Sequence, residues 1–403
     1  MAVNVFVSPR EIYYGAGAIK SVTSLLGKRT LVVTDSGVKA QGLADRLGEI
    51  IKGQGADLAI FDQVEPDPSR ETVGKILTQA LDFQPDLFIG LGGGSSIDAA
   101  KATWVLYENP DWVHLLVIEV AQKILQCVLR KKARLIAIPT TSGTGSEVTK
   151  AAVITDLTRT PPYKAAWNAP QIVPDAAILD PELTVTMPPQ ITANTGFDAL
   201  SHAVECYVLT KPSDMVDALA LWSARTIFEW LPKAVANGQN LQARERMQVA
   251  SLQAGLAFTN GTLGLVHTLA HILGGEFHIP HGRAIAYVIC PVFAFFYSNR
   301  RQRVVGLAKS LGLRGRNNTA KVQALLNLFN QLKKDIGIPL SIKDTNLSED
   351  QFFSKLDSLM EVYKVRLSVV TPAMRSMLGV PDSIEEVRNL WLHAWNGTNA
   401  DLN

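Results

Sequence analysis

The sequence predicts an α/β N-terminal domain, a parallel sheet with helices on both faces, followed by an all-α C-terminal domain. Two rhythms predict it. Up to about Pro181, short β-branched runs alternate with amphipathic stretches, the pattern that packs helices on both sides of a parallel sheet. After Pro188-Pro189 the β-branched runs nearly vanish, and Ala, Leu, Gln, Arg and Glu recur at helical spacing. The Pro-marked stretch from Asp180 to Pro189 is the natural hinge, which divides the chain into domains of residues 1–182 and 183–403.

Taken in order, strands are expected at Thr30 to Thr34, Leu58 to Phe61, Leu87 to Leu91, Leu135 to Ile138 and Ala176 to Leu179. Helices are expected between them, at about Lys39 to Lys52, Ser69 to Asp82 and Ser96 to Leu106. The first four strands each run into turn chemistry: Asp35-Ser36-Gly37, Pro66-Asp67-Pro68, Gly92-Gly93-Gly94 and Pro139 to Ser146. Such turns gather at one edge of the sheet, where open α/β sheets bind ligands. In the second half, helices are expected at Leu219 to Trp230, Ala243 to Ala257, Val322 to Ile336 and Glu385 to Trp395.

Composition narrows the function. Lys plus Arg total 39 and Asp plus Glu 37, a formal net charge of +2, which argues against a nucleic-acid groove or a polybasic membrane surface. Cys127, Cys206 and Cys290 are far apart and odd in number, so neither a disulfide framework nor a thiolate zinc site is expected, and a reducing cytoplasm fits best. The longest uncharged apolar stretch, Ala284 to Tyr297, contains Pro291 and is shorter than the ~20 residues of a membrane span. It reads as a buried segment. The first ten residues lack the pattern of a secretory signal.

Leu87 to Lys101 reads LFIGLGGGSSIDAAK: a buried strand, three glycines, then two hydroxyls opening a helix. Glycines let the backbone approach an anion, and free amides at the helix N-terminus stabilise negative charge, so a pyrophosphate fits there. The dinucleotide fingerprint Gly-x-Gly-x-x-Gly is broken by Ser95, and a plain strand-to-helix turn is the alternative. A second loop, PTTSGTGSE at Pro139 to Glu147, sets five hydroxyls among glycines, suited to a phosphate, a carboxamide or a ribose. Asp35 follows the first of these strands. Its carboxylate suits ribose hydroxyls and repels a 2′-phosphate, which favours NAD and leaves NADP open if the side chain points away.

Five groups stand out in a chain of seven histidines. Asp198 and His202 are four apart, as are His267 and His271, so each pair shares a helical face; His281 follows beyond Gly274-Gly275 and Pro280. Three imidazoles and a carboxylate suit Fe(II) or Zn with a position left for water or substrate, and the spare fifth group is free to relay protons. His278 competes with His281, but His281 precedes Gly282 at the expected start of the next helix.

These motifs together, YYGAGA, GGGSSIDAAK, IPTTSGTGSE, LDPELT, TGFDALSHAVE, HTLAH and PHG in that order, resemble the iron-containing alcohol dehydrogenases, the group related in fold to dehydroquinate synthase and glycerol dehydrogenase. The resemblance covers nearly the whole chain. It implies a nucleotide-binding domain, a helical domain and an active site in the cleft between them. It also implies metal ligands Asp198, His202, His267 and His281, with His271 beside the nicotinamide. Asp35, Asp67, Gly93, Gly94, Ser95, Thr140, Thr141, Thr144, Lys164 and Leu183 would line the cofactor site, with Lys164 reaching the cofactor and His271 passing the proton. The activity implied is reversible hydride transfer between a small alcohol or aldehyde and NAD(H), with Fe(II) ahead of Zn, in a cytoplasmic enzyme that forms a homodimer and uses neither nucleic acid nor membrane. Two stretches depart from the family pattern: Trp104 to Arg134, which reads as extra helix, and Arg283-Ala284-Ile285-Ala286 after PHG.

Two rivals share the scaffold. A lyase resembling dehydroquinate synthase would need several basic residues to hold its phosphorylated, carboxylated substrate, and no Lys or Arg stands from Asp198 to Glu205 or from His267 to Gly282. A metal-free binding protein would have no reason to keep all four ligands.

Overall fold

The computed structural model describes residues 5–158, 163–368, 370–381, 383–399 and 402. The chain forms two compact units, residues 1–187 with 239–259, and residues 188–238 with 260–403.

The first unit is built on a six-stranded, all-parallel sheet: β1 (Glu11–Tyr14), β2 (Arg29–Val33), β3 (Asp57–Phe61), β4 (Leu87–Gly92), β5 (Arg134–Pro139) and β8 (Ala176–Leu179), in the order β1-β8-β5-β4-β2-β3. The five expected strands are the five inner and far strands of this sheet. β4 is buried along its whole length, as a parallel strand covered on both faces must be. β6 (Ala151–Asp156) and β7 (Tyr163–Asn168) form a separate antiparallel pair that the apolar pattern does not announce. Helices α1 (Ser36–Ala40), α2 (Leu43–Gly53), α3 (Arg70–Phe83) and α4 (Gly94–Glu108) connect the strands. The helix expected over Lys39 to Lys52 is split into α1 and α2 because Gly42 adopts a left-handed φ of 73°.

Single polar side chains set where elements begin. Asp86 accepts from the Lys28 and Arg29 amides at 2.8 and 3.0 Å, and so fixes the start of β2. Asp180, fully buried after β8, accepts from the amides of Gly17, Ile19 and Glu182 at 3.2, 3.1 and 3.1 Å. This carboxylate ties the YYGAGA and LDPELT motifs together. The atypical stretch after α4 does hold extra helix, α5 (Val117–Lys123). Its far end is anchored by Arg130, whose guanidinium pairs with Asp175 at 2.7 Å and donates to the Gln171 and Val173 carbonyls at 2.8 Å each.

The second unit is helical among the described residues: α6 (Pro189–Leu209), α7 (Asp214–Ala236), α9 (Leu265–Phe277), α10 (His281–Asn299), α11 (Arg301–Ser310), α12 (Asn318–Asp335), α13 (Glu349–Ser368), α14 (Pro372–Leu378) and α15 (Ile384–Asn396). The remaining helix, α8 (Leu241–Thr259), lies with the first unit although it follows residue 183. The apolar run from Ala284 to Tyr297 is the buried body of α10, and no described helix is long and apolar enough to cross a membrane.

Candidate active site

At the C-terminal edge of the parallel sheet, three strand ends present polar groups toward one another. Asp35 is the N-cap of α1, accepting from the Val38 amide at 3.0 Å with one oxygen and from Ser96 Oγ at 3.0 Å with the other. A side chain on Gly92, at φ 147°, would collide with Ser96 and approach the Asp35 carboxylate to 3.1 Å, so glycine is required for that pairing. Gly93 opens the 15-residue helix α4 with no side-chain cap, leaving its first amides available to an anion. A Cβ on Gly94 would sit 2.8 Å from Thr144, and one on Gly93 would sit 3.5 Å from Thr141, so both loops meet here. Asp67, in a left-handed conformation at φ 56°, donates its amide to Ser95 Oγ at 3.2 Å and pairs through its carboxylate with Lys164 Nζ at 2.6 Å. The Thr140 amide bonds the Gly92 carbonyl at 3.0 Å. Nine of the ten proposed cofactor residues therefore share this edge. Leu183 differs: it is buried in the apolar core with Ile138 and Ile178.

The loop after β5 is held from beneath by groups that motif reading leaves unassigned. Asp98 accepts from Ser146 Oγ at 2.5 Å and from the Val153 amide at 2.9 Å. Lys101, with no exposed surface, donates to Thr149 O at 2.8 Å, Thr149 Oγ1 at 3.1 Å and Ala151 O at 2.8 Å. Burial lowers the Lys101 ammonium to about 8 against the pull of Asp98 and Glu147, and raises the Glu147 carboxyl to about 7. Charged residues inside the otherwise small and apolar IDAAKATW helix were the available signal.

In the second unit, α6 carries Asp198 and His202, α9 carries His267 and His271, and His281 is the first residue of α10. His281 can stand there because Gly282 has no side chain: a Cβ would lie 1.9 Å from the Asn194 carbonyl of α6. The Nε2 atoms of His202, His267 and His281 lie 3.4, 3.7 and 3.6 Å from one oxygen, Asp198 Oδ1. Atoms bound to one ion at roughly 2.1 Å and tetrahedral angles stand about 3.4 Å apart, so the spacing fits a divalent cation. Asp198, His267 and His281 offer ligand atoms all within 4.8 Å of one another. The buried Asp198 Oδ1 and His267 Nε2 have no hydrogen-bond partner among the described residues, which buried polar atoms rarely tolerate unless something else binds them.

The electrostatics agree. Burial alone would raise the Asp198 carboxyl, but His202, His267 and His281 outweigh it and hold it well below the carboxylate range. Burial alone would lower His267, but Asp198 and Glu205 raise it to about 9. The cluster is built for positive charge. His271 lies at the exposed side, its ring stacked on His281 with centroids 4.8 Å apart. His278 caps α9 in a left-handed conformation at φ 54°, and His281 is the one beside Asp198. Glu205 is the residue that motif reading quotes without using. It sits three positions after His202 on an apolar helix face, and that spacing was its signal.

Residues 9–181 match the family profile described as iron-containing alcohol dehydrogenase, and residues 192–373 match that of the Fe-containing alcohol dehydrogenase family, C-terminal. The NADPH-dependent butanol dehydrogenase of Clostridium saccharobutylicum is 40% identical over 361 residues, covering 88% of this chain and 90% of that protein. The NAD-dependent methanol dehydrogenase of Bacillus methanolicus is 35% identical over 353 residues, 86% and 90% of the two chains. Among solved structures, an alcohol dehydrogenase from Oenococcus oeni superposes with a TM-score of 0.88 at 30% identity, covering 98% of this chain and 100% of the other.

Proposed function

Because the chain belongs to the iron-containing alcohol dehydrogenase family, we propose a specific division of labour among its residues in an NAD(P)-dependent interconversion of small alcohols and aldehydes. The observation that carries it is the convergence of three imidazole nitrogens on Asp198 Oδ1 at 3.4 to 3.7 Å. Asp198, His202, His267 and His281 hold one divalent metal; a carboxylate with three imidazoles suits Fe(II) and Zn alike, and membership of the iron-containing family puts Fe(II) first. When bound, that ion lowers the pKa of an alcohol oxygen or polarises an aldehyde carbonyl, while the nicotinamide supplies the hydride chemistry.

The chain's own residues do the rest. Asp35, Asp67, Gly93, Gly94, Ser95, Thr140, Thr141, Thr144 and Lys164 form the dinucleotide site of the domain assigned to residues 1–182, while Leu183 packs in the apolar core of the same unit. The helical domain, residues 183–403, carries the metal and the substrate. The Asp35 carboxylate favours NAD over NADP by repelling a 2′-phosphate. Lys164 steadies the cofactor by charge. His271 passes the proton between the substrate oxygen and solvent, a role its exposed position beside His281 supports. We place the enzyme in the reducing cytoplasm as a homodimer.

The test pairs metal analysis with turnover. Purified protein should carry close to one divalent metal per chain and oxidise NADH with short aldehydes, and His267→Ala should lose turnover and retain the metal far more weakly through the other three ligands. Full turnover in a metal-free His267→Ala protein would remove the metal from the mechanism. Net NADH formation from a simple alcohol also excludes the lyase reading, because a lyase of that kind regenerates its cofactor within each turnover.

A further inference from the structure

Glu205 has no exposed surface and faces two donors at once. Its Oε1 accepts from the Val266 backbone amide at 2.7 Å, and its Oε2 lies 2.5 Å from His267 Nδ1. The opposite ring nitrogen of the same histidine, Nε2, is the one turned toward Asp198 Oδ1 at 3.7 Å. A neutral imidazole that donates through Nδ1 must present a lone pair at Nε2, so once an ion displaces the ring's second proton the carboxylate selects the tautomer that a metal requires.

We propose that Glu205 is a positioning residue for the metal centre, fixing both the ring orientation and the tautomer of His267 through the Nδ1 hydrogen bond. The inference rests on the metal reading of the cluster. Its competitor is a purely structural role: Val266 is the second residue of α9, so Glu205 also caps that helix. The chemistry of the contact separates the two. The site offers two donors, and a carboxylate accepts from both. A glutamine of the same shape has one acceptor and one donor arm. If its oxygen keeps the Val266 amide, its NH₂ faces His267 Nδ1 and drives the ring proton to Nε2. The helix cap survives while the metal-binding nitrogen is blocked.

The experiment titrates metal-stripped protein with Zn(II) in competition with a chromophoric chelator, for wild type, Glu205→Gln, His267→Ala and the double variant. Glu205→Gln should weaken Zn(II) binding by roughly 10- to 100-fold, as loss of such an outer partner does. In the His267→Ala background the same substitution should change Zn(II) affinity little, because the histidine it acts through is gone. Equal weakening in both backgrounds would assign Glu205 to the helix cap alone and overturn the proposal, as would unchanged affinity in Glu205→Gln. A wild type that binds no Zn(II) overturns the metal reading and this inference together. If Glu205→Gln does not fold, nitrogen-15 NMR of the Zn-loaded wild type decides: His267 should carry its proton on Nδ1 and bind through Nε2, and the reverse arrangement overturns the proposal.

Discussion

Gly145 and Gly255 meet backbone to backbone. A Cβ on Gly145 would lie 2.7 Å from the Gly255 Cα, and a Cβ on Gly255 would lie 3.0 Å from the Gly145 Cα and 2.8 Å from Val148. This contact seats α8 against the hydroxyl-rich loop that follows β5, and Gly145 is held at φ 63°, where a side chain is strained in any case. Gly255→Ala should therefore displace the loop rather than merely crowd it. The expected cost is about 1–3 kcal/mol of stability, the usual range for overpacking a filled site. Thermal melts and NAD titrations should register a lower Tm together with weaker cofactor binding. A lower Tm with unaltered cofactor affinity would detach the loop from the nucleotide site.

Asp35 serves both as helix cap and as the proposed discriminator against a 2′-phosphate. Asn at this position retains an acceptor for Val38 and removes the charge. Two like charges 4 Å apart repel by about 1 to 4 kcal/mol between bulk water and a protein surface, so Asp35→Asn should raise the NADP-to-NAD ratio of kcat/KM by about tenfold or more. Initial rates with each cofactor measure it. An unchanged ratio would mean that the carboxylate points away from the ribose.

The Lys164–Asp67 pair sits in the open, with side-chain exposures of 36% and 62%. Exposed ion pairs contribute little to stability, typically below about 1 kcal/mol. Lys164→Met should accordingly leave the Tm nearly unchanged. A lysine that also contacts the bound dinucleotide contributes a charge-assisted hydrogen bond of about 1.5–3 kcal/mol, so KM for NAD should rise roughly tenfold or more. Equal KM values would confine the residue to surface chemistry.

Much of this architecture is legible before any coordinates, and the reasons are physical. The strands β2, β3, β4, β5 and β8 are visible because most are apolar runs that end in turn residues. β1 is not, because it is a four-residue edge strand with only one partner and an exposed Tyr14. β6 and β7 hide because one face of β7, Lys164, Ala166 and Asn168, is open to solvent, while Trp167 on the other face turns inward to donate to the Val117 carbonyl at 3.0 Å. Asp198 with His202 and His267 with His271 are legible from helical spacing, since rare residue types in an apolar helix stand out, whereas His281 follows a helix break and the choice of four among these five groups rests on the resemblance. Glu205 and Lys101 escape motif reading because their meaning lies in partners on other elements: Val266 and His267 for one, Thr149 and Ala151 for the other.

Metal removal should be visible in stability as well as in activity. A ligand present at 100 times its Kd stabilises the folded state by about 2.7 kcal/mol. For a unit of this size that corresponds to a Tm shift of roughly 5–10 °C. Chelator-treated protein should melt lower by that amount and recover on adding Zn(II) or Fe(II), whereas Asp198→Ala should show no metal-dependent shift. Differential scanning calorimetry with and without metal provides the check, and a metal-dependent shift retained by Asp198→Ala would place the ion elsewhere.

Glu147 makes the stability of the first unit depend on pH. Burial raises its carboxyl from 4.5 to about 7, with its own backbone amide and Lys101 pulling the other way. The folded protein keeps this proton up to about pH 7, while the unfolded chain releases it near 4.5. The folded state thus binds more protons across that window, and stability falls as pH rises through it. The favourable contribution is complete below about pH 4.5 and gone above about pH 7, a span on the order of 3 kcal/mol at 1.36 kcal/mol per unit. Glu147→Gln keeps the shape and removes the ionisation, so urea midpoints of wild type and variant should converge near pH 5 and separate toward pH 8, with the variant the more stable. Parallel profiles at every pH would show that Lys101 neutralises Glu147 in the folded protein and that the buried pair titrates as one.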